Sequence, residues 1–371
     1  MITMNLSAED SLRLNVLVSN AEAVRIDENT MAVYGLQAGR ELKVQLNPTC
    51  NGDKYLGYVR ELLSGAVLDS PGGYPVFLRR WTRMGQIDHD QLDRLLRLGE
   101  PEAVMAVVCS PSLTDDLARR AWWAAPSAEH ARRMLEHPRV AQGVMGPVLA
   151  EYLIEYLPFE TEHRDMLESV RLVLQPGLIT PERRQRLWDA GRNKTTYRVG
   201  FLRAVPDDLP EPVPARRDVA DHAAALAAVD GPAAGLLHKL LDGVGQTFLE
   251  VAADALRRPA DQDVVVALLD ALGGYFRALR CEGERLRSIQ AMEQRAAARL
   301  ADPGDVAKPL LAAVPALRAE VEAMLFLAEV GESAVTDIFA RSDAVGSVMR
   351  TRIEPVVKAI QARIAVLCGA S

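Results

Sequence analysis

The chain has 371 residues, enough for two or three domains whose apolar cores need no covalent staples. Its 49% hydrophobic and 25% charged residues are those of a soluble globular protein. A net charge of −7 and a pI near 5.5 speak against general affinity for nucleic acid or anionic membranes, leaving room only for a local basic patch. The four cysteines, Cys50, Cys109, Cys281 and Cys368, form no C-x-x-C, so iron–sulfur and c-haem signatures are absent. They read as isolated buried thiols, with Cys368 the nearest to an exposed, reactive one.

The N-terminal MITMNLSAEDSLRL is acidic and amphipathic, unlike a signal peptide, and the sequence predicts a cytoplasmic protein. Ser7 is placed to cap a helix, with Asp10 three residues on in a capping-box position, and Leu12, Val16 and Leu17 supply its apolar face. The period then changes. EAVRID, TMAVYGL and RELKVQL alternate apolar and polar residues, which predicts a three-stranded antiparallel meander over residues 22–46. Asp27–Asn29 and Gly35–Gly39 carry its turns, and Asn47-Pro48 ends it.

Between residues 88 and 205 short helices alternate with proline-marked corners. Thr114 caps DDLARRAWWA, Ser127 caps AEHARRMLEH, and Thr180 with Pro181 opens PERRQRLWDA, closed by Gly191. Such helices suit a stacked array, HEAT-like or irregular. PDDLPEPVPARR (206–217) reads as a linker. Beyond it three longer apolar stripes run from Leu236 to Val251, Val265 to Leu279 and Leu286 to Leu300. Leu310 to Leu327 follows, interrupted at Pro315, and Pro355 opens a last helix through Leu367. The expected fold is mainly α. An N-terminal module with the β-meander (1–86) precedes an array of short helices (87–205), the linker (206–217) and a C-terminal helical bundle (218–371).

Concentrated chemistry is scarce. SPGGYPVFLRRWTRMGQ (70–86) crowds two glycines, two prolines and three arginines beside a tryptophan. It lacks the lysine and hydroxyl of a phosphate loop, and neither a dinucleotide fingerprint nor G-x-S-x-G occurs. Tyr74, Arg79, Arg80 and Arg83 remain an anion- or partner-binding candidate, against the plainer alternative of arginines paired with acids of the chain. The neighbours Trp122 and Trp123 point about 100° apart on a helix, so one packs inward and the other reaches a groove or contact. Glu160-x-x-His163 has the spacing of a di-iron ligand pair but stands alone, and it reads as a capping or surface feature. Glu129-His130 and Glu136-His137 put histidines seven apart, too far along a helix to share an ion, and read as a solvated face. RNKTTYR (192–198) is a short basic turn. No catalytic, cofactor-binding or metal-binding residue emerges.

The meander AVRIDENTMAVYGL, then SPGGYPVFLRRWTRMGQ, then CSPSLTDDLARRAWWAAPSAEHARRMLEHP resembles the DsrS proteins, encoded beside the dissimilatory sulfite reductase genes of sulfur-oxidising bacteria. The resemblance spans most of the chain and is strongest over residues 20–205. It implies a non-catalytic cytoplasmic accessory protein of sulfur oxidation by the reverse-acting sulfite reductase. Such a protein works by binding a protein partner of that system or by supporting production or maturation of its components. It implies no cofactor and supplies no catalytic residues. Two alternatives remain. One is a post-transcriptional regulator touching RNA through Arg79, Arg80, Arg83, Arg192, Lys194 and Arg198. The other is an unrecognised enzyme, for which Cys109 and His163 are the first residues to test.

Overall fold

Ser7 caps the first helix, α1 (Ala8–Asn20), through a 3.1 Å hydrogen bond to its hydroxyl from the Asp10 N–H. Asp10 does not complete a capping box. Its carboxylate turns inward, fully buried, and accepts from the Tyr55 hydroxyl, from the Asn47 N–H at 2.8 Å and from the Asn47 side-chain amide at 3.3 Å. A buried carboxylate is tolerable only with such partners. Burial and this bond together push the Tyr55 phenol above its ordinary range. The inward face of α1 is therefore Asp10, Leu14, Leu17 and Val18, an i, i+4, i+7, i+8 stripe. Leu12 and Val16, expected inside, lie 68% and 58% exposed on the opposite side.

The computed structural model describes residues 6–68, 89–341 and 344–369. Among them the chain is mainly helical, with twenty α-helices and one small antiparallel sheet near its N-terminus. The strands are β1 (Ala23–Asp27), β2 (Ala32–Gln37) and β3 (Arg40–Gln45), in the order β1-β2-β3. Ala23 faces Leu36 across the first pair and Tyr34 faces Lys43 across the second. Asp27 builds the first turn by accepting from the Asn29 and Thr30 N–H groups at 3.0 and 3.2 Å. The second turn is the two-residue Ala38-Gly39, both at positive φ, as the right-handed twist of a hairpin favours. Gly35, expected in that turn, instead sits within β2 where α1 presses closest. A Cβ there would lie 2.9 Å from Leu17 Cγ.

The chain forms two compact units, Met1–Tyr156 and Leu157–Ser371. In the first, the sheet is followed by α2 (Gly52–Leu68), α3 (His89–Leu95), α4 (Pro101–Val108), α5 (Asp115–Ala124), α6 (Ala128–Leu135), α7 (Pro138–Ala141) and α8 (Met145–Tyr156). The caps expected for α5 and α6 form, with Thr114 accepting from the Leu117 N–H at 3.3 Å and Ser127 from the His130 N–H at 3.1 Å.

The second unit holds α9 (His163–Val173), α10 (Pro181–Ala190), α11 (Thr195–Ala204), α12 (Val219–Ala227), α13 (Pro232–Leu241), α14 (Gly243–Arg257) and α15 (Gln262–Tyr275). It ends with α16 (Ile289–Ala301), α17 (Gly304–Ala313), α18 (Arg318–Leu327), α19 (Ser333–Phe339) and α20 (Gly346–Leu367). Trp188, Phe201, Phe248, Phe276 and Phe326 are its largest buried side chains.

Residues 206–217 do not separate the compact units, whose division falls between Tyr156 and Leu157. The stretch is a strap within the second unit. The Val213 N–H donates to Thr247 Oγ1 at 3.0 Å. Arg216 reaches Asp218 at 2.9 Å and Glu320 at 3.0 Å, and donates to the Leu367 carbonyl at 3.3 Å. Prolines stiffen the strap, while its charged residues fasten it. Pro355 likewise does not open a helix, because α20 runs through it. The ring lies on the exposed face, where water can satisfy the carbonyl it leaves unbonded. Met349, Ile353, Val356, Ile360, Ile364 and Leu367 bury the opposite face and hold the helix together.

Candidate partner-binding surface

The paired tryptophans lie near the end of α5, and neither is fully buried. Its first turn carries Asp115 and Asp116, favourable at the positive end of the helix dipole. Asp115 also acts on a second helix. Its carboxylate accepts from the N–H groups of Val144 and Met145, both at 3.0 Å, and so satisfies donors at the start of α8 that have no partner within that helix. This carboxylate fixes where α8 begins relative to α5.

That placement brings Trp122 edge-on against Tyr152, with ring centroids 4.7 Å apart and planes at 80°. Tyr152 in turn stacks on Tyr156 at 6.0 Å. Such edge and offset contacts suit the aromatic quadrupole. Met145, Leu149, Ala150 and Leu153 bury the inner face of α8. Its outer face is also apolar, because Val144, Val148, Tyr152 and Tyr156 follow one another at intervals of four. Val144 is 82% exposed, Val148 48% and Tyr156 39%. A helix with apolar residues on both faces is usually covered on both, and a contiguous exposed apolar row marks a contact surface. Sequence reasoning singled out Trp122 but missed this row. Its signal was legible in VMGPVLAEYLIEYL as a second four-residue spacing offset from the core one.

Trp123 points elsewhere, to the sheet. The Arg25 guanidinium sits over Trp123 at 5.0 Å and over Tyr34 at 4.8 Å, and it pairs with Glu41 at 2.7 Å. The neighbouring Arg119 bonds Glu22 and Asp116, each at 2.9 Å, and Arg120 pairs with Asp93 and Asp116. The hydrogen bond from Arg119 holds the Glu22 carboxyl below its ordinary range. Trp123 is thus closed into a charged, internally paired mosaic, while Trp122 belongs to the open apolar row.

The basic segment 192–198 is internally engaged. Arg198 stacks on the Trp188 ring at 3.4 Å, and Lys194 lies over Tyr197 at 5.4 Å. Glu211, from the strap, accepts from Trp188 Nε1 at 3.0 Å, pairs with Arg192, and faces Arg198 at 3.9 Å. The Trp188 bond, then Arg192, hold the Glu211 carboxyl below its ordinary range, while burial pushes the Arg198 guanidinium down. Tyr74, Arg79, Arg80 and Arg83 lie outside the described residues.

The remaining candidates take ordinary structural places. His163 opens α9 and its Nδ1 meets Thr196 Oγ1 at 2.8 Å. His130 is not on a solvated face. It is buried, with Nδ1 2.6 Å from the Ala125 carbonyl, and closes the corner between α5 and α6. All four cysteines are free, but Cys50 and Cys109 are exposed rather than buried, and Cys109 Sγ lies 3.6 Å from Met105 Sδ. Cys368 is half-buried, and burial, then Glu250, push its thiol up, which disfavours the thiolate.

Among the described residues no three His, Cys, Asp or Glu side chains gather as a metal site, and no helix is long and apolar enough to cross a membrane. Comparison with known protein families, with curated proteins and with solved structures finds no match.

Proposed function

We propose that the chain is a non-catalytic accessory protein that binds a protein partner through the outer face of α8. The observation that carries this reading is the exposed pair Val144 and Val148, in line with half-buried Tyr152, which Trp122 braces edge-on. Rigid aromatics on a firmly capped helix lose little side-chain freedom on binding, and such groups dominate protein interfaces. The partner is a cytoplasmic component of the reverse-acting dissimilatory sulfite reductase system. This assignment rests on the resemblance to the DsrS proteins.

The test is affinity capture from cells oxidising reduced sulfur, comparing the native chain with Val148→Asp and with Tyr152→Ala. Recovery of sulfite reductase components by the native chain, and their loss with both folded variants, supports the proposal. Recovery of none of them by the native chain refutes it.

A further inference from the structure

The second unit holds a polar cleft of about 630 Å³, between the end of α15, the segment 280–287 and the start of α19. Its volume lies in the range of small-molecule sites. The partner surface on α8 has no part in it.

One wall supplies positive charge. Arg280 is fixed, its Nε donating to the Ala328 carbonyl at 2.6 Å and Nη2 to the Val330 carbonyl at 3.2 Å. Arg285 stands beside Gly331, where a Cβ would come within 3.6 Å of its Nη1. It makes no hydrogen bond or ion pair among the described residues. Arg287 has only a long pair, 3.5 Å, with exposed Asp337.

The other wall supplies acceptors. Ser333 gives its hydroxyl proton to the Leu286 carbonyl at 2.8 Å, and Thr336 gives its own to the Glu332 carbonyl at 3.0 Å. Each oxygen keeps lone pairs with which to accept. The Asp270, Glu284 and Glu332 carboxylates also line the cleft, without an ion pair among the described residues, and Asp270 accepts from the Glu332 N–H at 2.9 Å.

Charges of both signs thus line one concave space, and no two of the lining groups form an ion pair among the described residues. We infer that this cleft binds a small organic oxyanion that also carries hydroxyl or amine donors, its anionic head on Arg285 and Arg280 and its donors on the Ser333, Thr336 and Glu332 side. Both a sugar phosphate and an amino-acid-like zwitterion have this chemistry. Arginine suits such a head because its planar fork meets carboxylate and phosphate oxygens in pairs. Burial first, and then the neighbouring Arg285, disfavour the charged form of Arg280, against the opposing pull of Glu329 and Asp270, and a bound oxyanion adds to that pull.

The experiment is calorimetric titration of the full chain with ribose 5-phosphate, glutamate, ribose and inorganic phosphate, repeated on Arg285→Ala and on Arg257→Ala as a distant control. Arg285 has no partner to lose, so Arg285→Ala is expected to keep the native thermal transition. The expected result is saturable binding of ribose 5-phosphate or glutamate, no binding of ribose, and weaker binding of inorganic phosphate. Arg285→Ala weakens the organic anion by about tenfold or more, as loss of a charge-assisted pair does, and Arg257→Ala leaves it unchanged. Ribose 5-phosphate alone identifies a phosphorylated ligand, and glutamate alone a zwitterion. Absence of binding by both overturns the inference, as does equal affinity in Arg285→Ala. Inorganic phosphate binding as tightly as the organic anions also overturns it, since the acceptor wall would then have no role.

Discussion

Trp122 and Trp188 are built from similar materials and end in opposite conditions. Each lies on a short helix rich in arginine and flanked by acids. Around Trp188 the set is closed. Phe201 packs edge-on at 5.0 Å, Arg198 covers the ring, and Glu211 takes the indole N–H. Around Trp122 the contacts run the other way, through half-buried Tyr152 along α8, in line with exposed Val144 and Val148. The acid that closes the Trp188 site comes from the strap, far away in sequence. A tryptophan beside arginines is therefore not itself a binding signal. What decides is whether a distant segment returns to cover it.

The sharpest way to break the comparison is Trp188→Ala. Removing a fully buried indole costs about 3–5 kcal/mol, and denaturant unfolding should show the second unit melting early. Asp10→Ala should come next, at about 2–4 kcal/mol, because it strands the buried Tyr55 hydroxyl and Asn47 N–H. The same unfolding measurement checks it, and Asp10→Asn, which keeps an acceptor, should recover part of the loss.

Glu211→Gln opens the closed set without emptying it. Glu211 is half-exposed, so the loss is about 1 kcal/mol or less. It should also depend on pH. The folded carboxyl lies below its unfolded range, so its contribution is complete above about pH 4.3 and disappears as pH falls through the folded value. Unfolding curves of the native chain and Glu211→Gln should differ at pH 7 and converge in strong acid. The smallest effect on stability belongs to Val148→Asp, within about 0.5 kcal/mol, measured by the thermal midpoint. A larger loss would mean that Val148 is covered within the chain and would remove the open side of the comparison.

Local chemistry was legible in the sequence. The caps at Ser7, Thr114, Ser127 and Thr180 and the three strands are decided by residues within a few positions of one another. What was not legible depends on remote partners. The inward face of α1 turns on Asp10, which is tolerable inside only because Tyr55 and Asn47 arrive from elsewhere. Gly35 reads as a turn residue until Leu17 is found pressed against it. The prolines of 206–217 read as a spacer because the partners of Val213 and Arg216 lie on α14, α18 and α20. The candidate site divides the same way. Trp122 and Trp123 stood out as a doublet, but only the position of α8 shows which of them belongs to the open row.

Arg216 carries one more consequence. The last carbonyls of an α-helix have no partners within the helix, and helix ends ordinarily open and close independently of the body. Arg216 donates to the Leu367 carbonyl while paired with Asp218 and Glu320. The end of α20 is thereby pinned to the strap that enters the bundle before α12. Fraying of this helix then costs a hydrogen bond to the strap, so amide-proton exchange and protease sensitivity at its end should report whether the strap is seated.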